Sequence, residues 1–159
     1  MDKNFSKDKV AVITGGAKKI GRSTAKKLAD QGFNVLIHTG GKSIDEAKKT
    51  VELVKEYSVK SDVVDGDLED LKTIDKIKDA AQKLGTPSIL INNAGLRIFE
   101  DFEKIKYEDW KRVMTVNVDA SFLCTQALIG PMVKQGWGRV INIGAVSYTH
   151  LTLPTSNGV

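Results

Sequence analysis

The sequence predicts an α/β protein built on a doubly wound parallel sheet, and three observations carry that prediction. Short apolar runs alternate with amphipathic helical stretches along the 159 residues, the order that builds parallel βαβ units. The first run, Val10-Ala11-Val12-Ile13, is apolar at every position, as expected of a strand covered on both faces. The turn after it, TGGAKKIG at 14–21, joins strand to helix through glycines. There the backbone N–H groups and the helix dipole together make an anion site.

Each element follows from local chemistry. Residues 1–7 are polar and are expected to fray, and the first strand covers about 9–14. A helix is expected over about 20–31, with Ile20, Thr24, Ala25 and Leu28 on one face and Gly32 as its stop. The second strand is FNVLIHT at 33–39, and GGKS forms a loop. Ser43 is placed to cap a helix running to about Tyr57, with Glu46 three residues on completing a capping box. Asp62-Val63-Val64 is a short third strand, followed by GDLED. Asp70 opens a helix with Leu71, Ile74, Ile77, Ala81 and Leu84 on its apolar face, which Gly85 and Pro87 end. The fourth strand is 88–91, and Asn92-Asn93-Ala94-Gly95 follows. A long helix is expected over about 107–134, bent at Gly130-Pro131 because proline lacks the N–H for the ladder. The last strand is 139–143. About five strands are thus present, an incomplete sheet of this type. Right-handed crossovers would set the ends of strands one, two and four along one crevice.

Composition narrows the function classes. The chain is 41% hydrophobic and 28% charged, ordinary for a soluble globular domain. A net charge of +4 is spread through the helical stretches, which reads as a solvated surface and not as a nucleic-acid face. The single cysteine, Cys124, lies in an apolar helical pattern, so there is no disulfide framework. With two histidines and one cysteine no metal constellation is expected. No signal peptide and no run long enough to span a bilayer is read from the sequence, and a cytoplasmic location is expected.

Four ordered motifs over about 9–145 make the chain resemble the short-chain dehydrogenase/reductase family. TGGAKKIG is similar to the family's TGxxxGxG turn, and Asp67-Leu68 in GDLED to its acidic step after the third strand. Asn92-Asn93-Ala94-Gly95 matches NNAG in full, and Asn117 lies in VNVDASF on the long helix. The resemblance implies a Rossmann-type domain at 1–145 that binds NADP(H). Thr14, Gly15, Ile20 and Gly21 would form the phosphate turn. Asp67 would accept from the adenine amino group with Leu68 as backbone support, and Asn93, Ala94 and Gly95 would face the ribose. Asn117 would hold a water in the proton relay. The family's second turn glycine is Lys19 here, a basic position shared with pteridine reductases, where the side chain can meet cofactor phosphates. The end of the second strand, His38-Thr39-Gly40-Gly41-Lys42-Ser43, has no acid for a ribose 2′-hydroxyl. Lys18 and Lys42 with Ser43 suit a 2′-phosphate instead, and His38 reads as a strand-end residue near the adenosine.

The chain departs from the family at its catalytic strand. Ala145 stands where the serine is usual, and no tyrosine–lysine pair follows the fifth strand; Tyr148 is too close to that strand to serve. The tail VSYTHLTLPTSNGV at 146–159 carries no charged residue. VSYTHL can be encoded by GTC TCT TAT ACA CAT CTN, which is similar to a transposon end used in preparing sequencing libraries. The tail is therefore expected to be non-native and the chain a truncated N-terminal part. The native residue at 145 would have a codon beginning with G, which permits the aspartate of pteridine reductases. The resemblance implies a homo-oligomeric parent protein that moves hydride from NADPH to a small carbonyl or imine. Its substrate would be a ketone such as a 3-oxoacyl thioester or a pterin, and this chain alone would be inactive. The alternative is a protein of the same fold that senses NADP without chemistry.

Overall fold

A computed structural model describes residues 3–144. Strands β1 (Lys9–Ile13), β2 (Asn34–Thr39), β3 (Ser61–Asp65), β4 (Thr86–Asn92) and β5 (Arg139–Asn142) form one sheet in the order β3-β2-β1-β4-β5. Every ladder is parallel. The chain leaves β1 first to one side and later to the other, so the connections that follow β1 and β4 diverge to opposite faces of the sheet. That switch point is where a doubly wound sheet opens a crevice.

Alternation along the strands builds two apolar layers. Val10, Val12, Leu36 and Leu90 face α4 (Leu71–Leu84) and α6 (Ala120–Lys134), which contribute Ile77, Ala81, Cys124 and Leu128. Ala11, Ile13, Val35, Ile37 and Ile91 face α2 (Lys19–Asp30) and α3 (Ile44–Lys55), which contribute Ala25, Ala29, Val51 and Val54. Each fully buried Leu, Ile or Val contributes about 1.5–3 kcal/mol, so these layers dominate the stability. Burial pushes the Cys124 thiol up to about 11, leaving it an inert core residue.

Tertiary packing overrides several local expectations. The start of the chain does not fray through its whole length. A short helix, α1 (Lys3–Ser6), docks so that the Phe5 ring meets Trp137 edge-on with centroids 5.0 Å apart. Ile20 is 60% exposed and Leu71 is 62% exposed, so neither joins the core face assigned to it. Ser43 occupies the N-cap of α3, but its side chain makes no capping bond. Glu46 is drawn instead to Arg22 at 2.6 Å and Lys49 at 2.8 Å. Those contacts, Lys49 first and then Arg22, pull its carboxyl down to about 2. Pro87 lies inside β4 and not before it, and the β1–β4 register skips Ser88 opposite Val10 and Ala11. Such a bulge tolerates the missing N–H.

The long helix is interrupted earlier than Gly130-Pro131. After α5 (Tyr107–Met114) comes one π turn, Thr115–Asp119, and then α6, with Pro131 inside α6 near its end. The whole run Tyr107–Lys134 is long and apolar enough, by length and composition, to cross a membrane, contrary to the sequence reading. In the fold it is a layer on the sheet: Ala120, Cys124, Leu128 and Met132 pack over β1 and β4.

Candidate functional site

A cavity of about 630 Å³ opens at the C-terminal ends of β1, β2, β3 and β4. Its floor is the turn after β1. Gly15 takes φ +63°, and a Cβ there would come within 2.9 Å of the Ala94 backbone, so only glycine fits. Gly21 lies beneath the turn, where a Cβ would meet the Gly15 carbonyl at 2.4 Å. This is the close helix-to-strand packing that the glycine pattern serves.

Thr14 and Asn93 face inward and strap the turn to the loop after β4. The Thr14 hydroxyl accepts from the N–H groups of Asn93 at 3.0 Å and Ala94 at 3.1 Å. The Asn93 amide donates back to the carbonyls of Thr14 and Gly15, both at 3.0 Å. Neither residue lines the cavity, so their observed work is to hold two loops together. Arg22 braces the same turn from below. It donates to the Ala17 carbonyl at 2.9 Å and to Thr50 and Glu46 on α3.

Of the residues singled out from sequence, Gly15, Lys18, His38, Lys42, Ser43, Asp67, Leu68, Ala94 and Gly95 meet on this cavity. Lys19, Ile20 and Gly21 do not line it. Lys19 has φ +50°, so it keeps the backbone conformation that a glycine would adopt there. His38 is 2% exposed, with Nε2 3.0 Å from the Gly66 carbonyl. Burial pushes its imidazole below the ordinary 6.5, outweighing the Gly66 bond and the charges of Asp65 and Asp67. The ring is therefore neutral, with Nε2–H donating and Nδ1 buried without a partner among the described residues.

Asp67 is not a free carboxylate. Its Oδ1 accepts from the Glu69 N–H at 3.1 Å, and its Oδ2 meets the Arg112 guanidinium at 3.2 Å. Arg112 also reaches Glu69 at 2.8 Å, and these two acids, Glu69 first, hold it more firmly charged. Arg112 lines the cavity and was not picked out from the sequence, because its partners lie 43 and 45 residues away. Asp65, Gly66, Leu96 and Val116 also line it unforeseen.

Asn117 sits in the π turn, and both ends of its amide are engaged by one residue. Its Oδ1 accepts from the Leu96 N–H at 2.8 Å, and its Nδ2 donates to the Leu96 carbonyl at 3.0 Å. It thus pins the loop after β4 to the long helix. Ala145, Tyr148 and the tail at 146–159 lie outside the described residues. A YxxxK spacing does occur at Tyr107 and Lys111, upstream of β5 on α5. Tyr107 is 72% exposed and does not line the cavity.

Fold and crevice together define a Rossmann-type α/β protein. The short chain dehydrogenase family matches residues 9–151, and the chain belongs to that family. It is 37% identical over 150 residues to an uncharacterised oxidoreductase, YohF, of Escherichia coli, covering 93% of this chain and 58% of the relative. It is also 37% identical over 140 residues to the 3-oxoacyl-[acyl-carrier-protein] reductase FabG of Aquifex aeolicus, covering 87% of this chain and 56% of the relative. Among solved structures, acetoin dehydrogenase YohF from Salmonella typhimurium matches with TM-score 0.79 and 33% identity, over 85% of this chain and 54% of that one. A metagenomic short-chain oxidoreductase in complex with NADP matches with TM-score 0.80, over 89% of this chain and 64% of that one. At 24% identity it speaks for the fold alone. The chain thus spans little more than half the length of the curated relatives it matches.

Proposed function

We propose that residues 1–145 are the nucleotide-binding part of an NADPH-dependent short-chain reductase. The observation that supports this best is the crevice itself. Lys18 in the glycine turn and Lys42 in the loop after β2 both line it, and Thr39 stands where a carboxylate would be needed for a 2′-hydroxyl. Lys18, Lys42 and Ser43 would hold the 2′-phosphate, Asp67 and Leu68 the adenine, and Ala94 and Gly95 the ribose. When bound, the nicotinamide supplies the hydride, and this chain's residues bind and orient it. The whole protein would be a cytoplasmic oligomer acting on a small carbonyl compound. A 3-oxoacyl thioester is favoured by the likeness to FabG, and a pterin by Lys19 alone. Residues 146–159 would lie outside the domain, and the chain by itself would bind cofactor without turning it over.

Titration of the chain with NADPH and NADH, followed by the fluorescence of the reduced nicotinamide, tests the reading. NADPH should bind more tightly, and Thr39→Asp should weaken NADPH selectively through like-charge repulsion. Equal affinities, or a preference for NADH, would overturn it.

A further inference from the structure

In sequence the end of β2 holds no carboxylate, but the sheet register delivers one from the neighbouring strand. β2 and β3 run parallel with Thr39 opposite Asp65. Asp65 is exposed and lines the same cavity as Lys18, Lys42 and Ser43. Its Oδ1 accepts a hydrogen bond from the Gly41 N–H at 2.7 Å. Gly41 takes φ +35° with open space around its Cα, immediately before Lys42. A loop N–H presented in this way is a donor of the kind that binds anions. Among the described residues no ion pair joins Asp65 to Lys18 or Lys42, so its charge is not cancelled by either lysine.

A phosphate entering this corner meets two obstacles from one side chain. The Gly41 donor is already taken, and a second negative charge stands beside it. A free 2′-hydroxyl meets neither, because it can donate to the remaining carboxylate oxygen. We propose that Asp65 is a specificity-determining residue of this crevice. Its carboxylate acts on the Gly41 N–H as a built-in competitor for a nucleotide 2′-phosphate, and it limits the preference for NADPH over NADH. The proposal rests on the NADP reading and refines it.

Asp65→Asn tests it, since the amide oxygen can still accept from Gly41 while the charge is gone. NADPH and NADH are titrated into the full chain and the variant at low and high salt, with circular dichroism checking the fold. The NADPH-to-NADH affinity ratio should rise about three- to tenfold at low salt through NADPH alone, as expected for removing a like charge near a solvated phosphate. The gain should shrink at high salt. A ratio that stays put or falls, or a change shared equally by both cofactors, would overturn the proposal and reveal a mere loop anchor. Should Asp65→Asn fail to fold, Asp65→Ser, neutral and still an acceptor, gives the same readout. If the unmodified chain binds no NADPH, the NADP reading fails and the proposal fails with it. If it prefers NADPH and the variants do not shift the ratio, only the proposal fails.

Discussion

Lys19 shows how a single residue can be kept at a local cost. A side chain at φ +50° is disfavoured by about 1 kcal/mol relative to glycine, and a cation in the first turn of α2 also opposes the helix dipole. Lys19→Gly should therefore raise stability by about 1 kcal/mol, read as a higher urea midpoint. If the ammonium meets cofactor phosphates, the same change should weaken NADPH binding by about 1–2 kcal/mol. Unchanged binding would make Lys19 a surface residue only. His38 makes a second residue-scale prediction. Its folded value lies below 6.5, so below pH 6.5 the unfolded chain takes up a proton that the buried ring refuses. Stability is then fully present above that pH and falls on acidification, by at most about 1.4 kcal/mol per pH unit from this group. Urea unfolding at mildly acidic and neutral pH should show the decline in the unmodified chain and a shallower one in His38→Leu. Identical slopes would contradict the buried neutral ring.

At the scale of elements, the π turn Thr115–Asp119 is the feature with consequences. A π turn sets one extra residue into a helix, and Asn117 is the residue it turns onto the Leu96 backbone. Asn117→Ala leaves that N–H and carbonyl without their partners. It should cost about 1–2 kcal/mol and speed amide exchange at Leu96 and its loop neighbours. Exchange that stays as slow as in the unmodified chain would show that the loop is held by other contacts. The failed capping box at Ser43 belongs to the same scale. Glu46 is pulled across to Arg22, and so α3 is tied to α2 and to the Ala17 carbonyl instead of to its own N-terminus. The brace stiffens the turn on which the crevice depends.

Across the whole molecule, one face of the long helix is left bare. Tyr107, Trp110, Met114, Val118, Phe122, Ile129 and Val133 are all exposed. They recur at intervals of three or four residues, with one gap of seven. A four-residue repeat drifts around a helix of 3.6 residues per turn, and the wider π turn offsets part of that drift. An apolar stripe of this length is a surface for association. The chain should self-associate in sedimentation velocity experiments, and Phe122→Glu should shift it towards monomer without unfolding it. A monomeric unmodified chain at high concentration would contradict this use of the stripe. The edge strand β5 is likewise exposed along its length, with Val140 and Ile141 uncovered on its two faces and Ile143 uncovered just beyond it.

The sequence by itself determined the order of strands and helices, the glycine turn and half of the residues around the crevice. These follow from signals carried within a few positions: continuous apolar runs, helical spacing, and backbone angles that only glycine adopts easily. Tertiary structure decided which polar groups face each other. Thr14 and Asn93 are 79 residues apart, yet they bind each other's loops and not the cavity. Asp67 meets Arg112 across 45 residues, and Asp65 reaches the edge of the crevice only because β3 pairs with β2 in one particular register. Hydrogen bonds and charge pairs of this kind leave no periodic trace in the chain, since their partners are chosen by strand register and helix placement. The apolar pattern builds the crevice, and the register of the sheet decides what charge it presents.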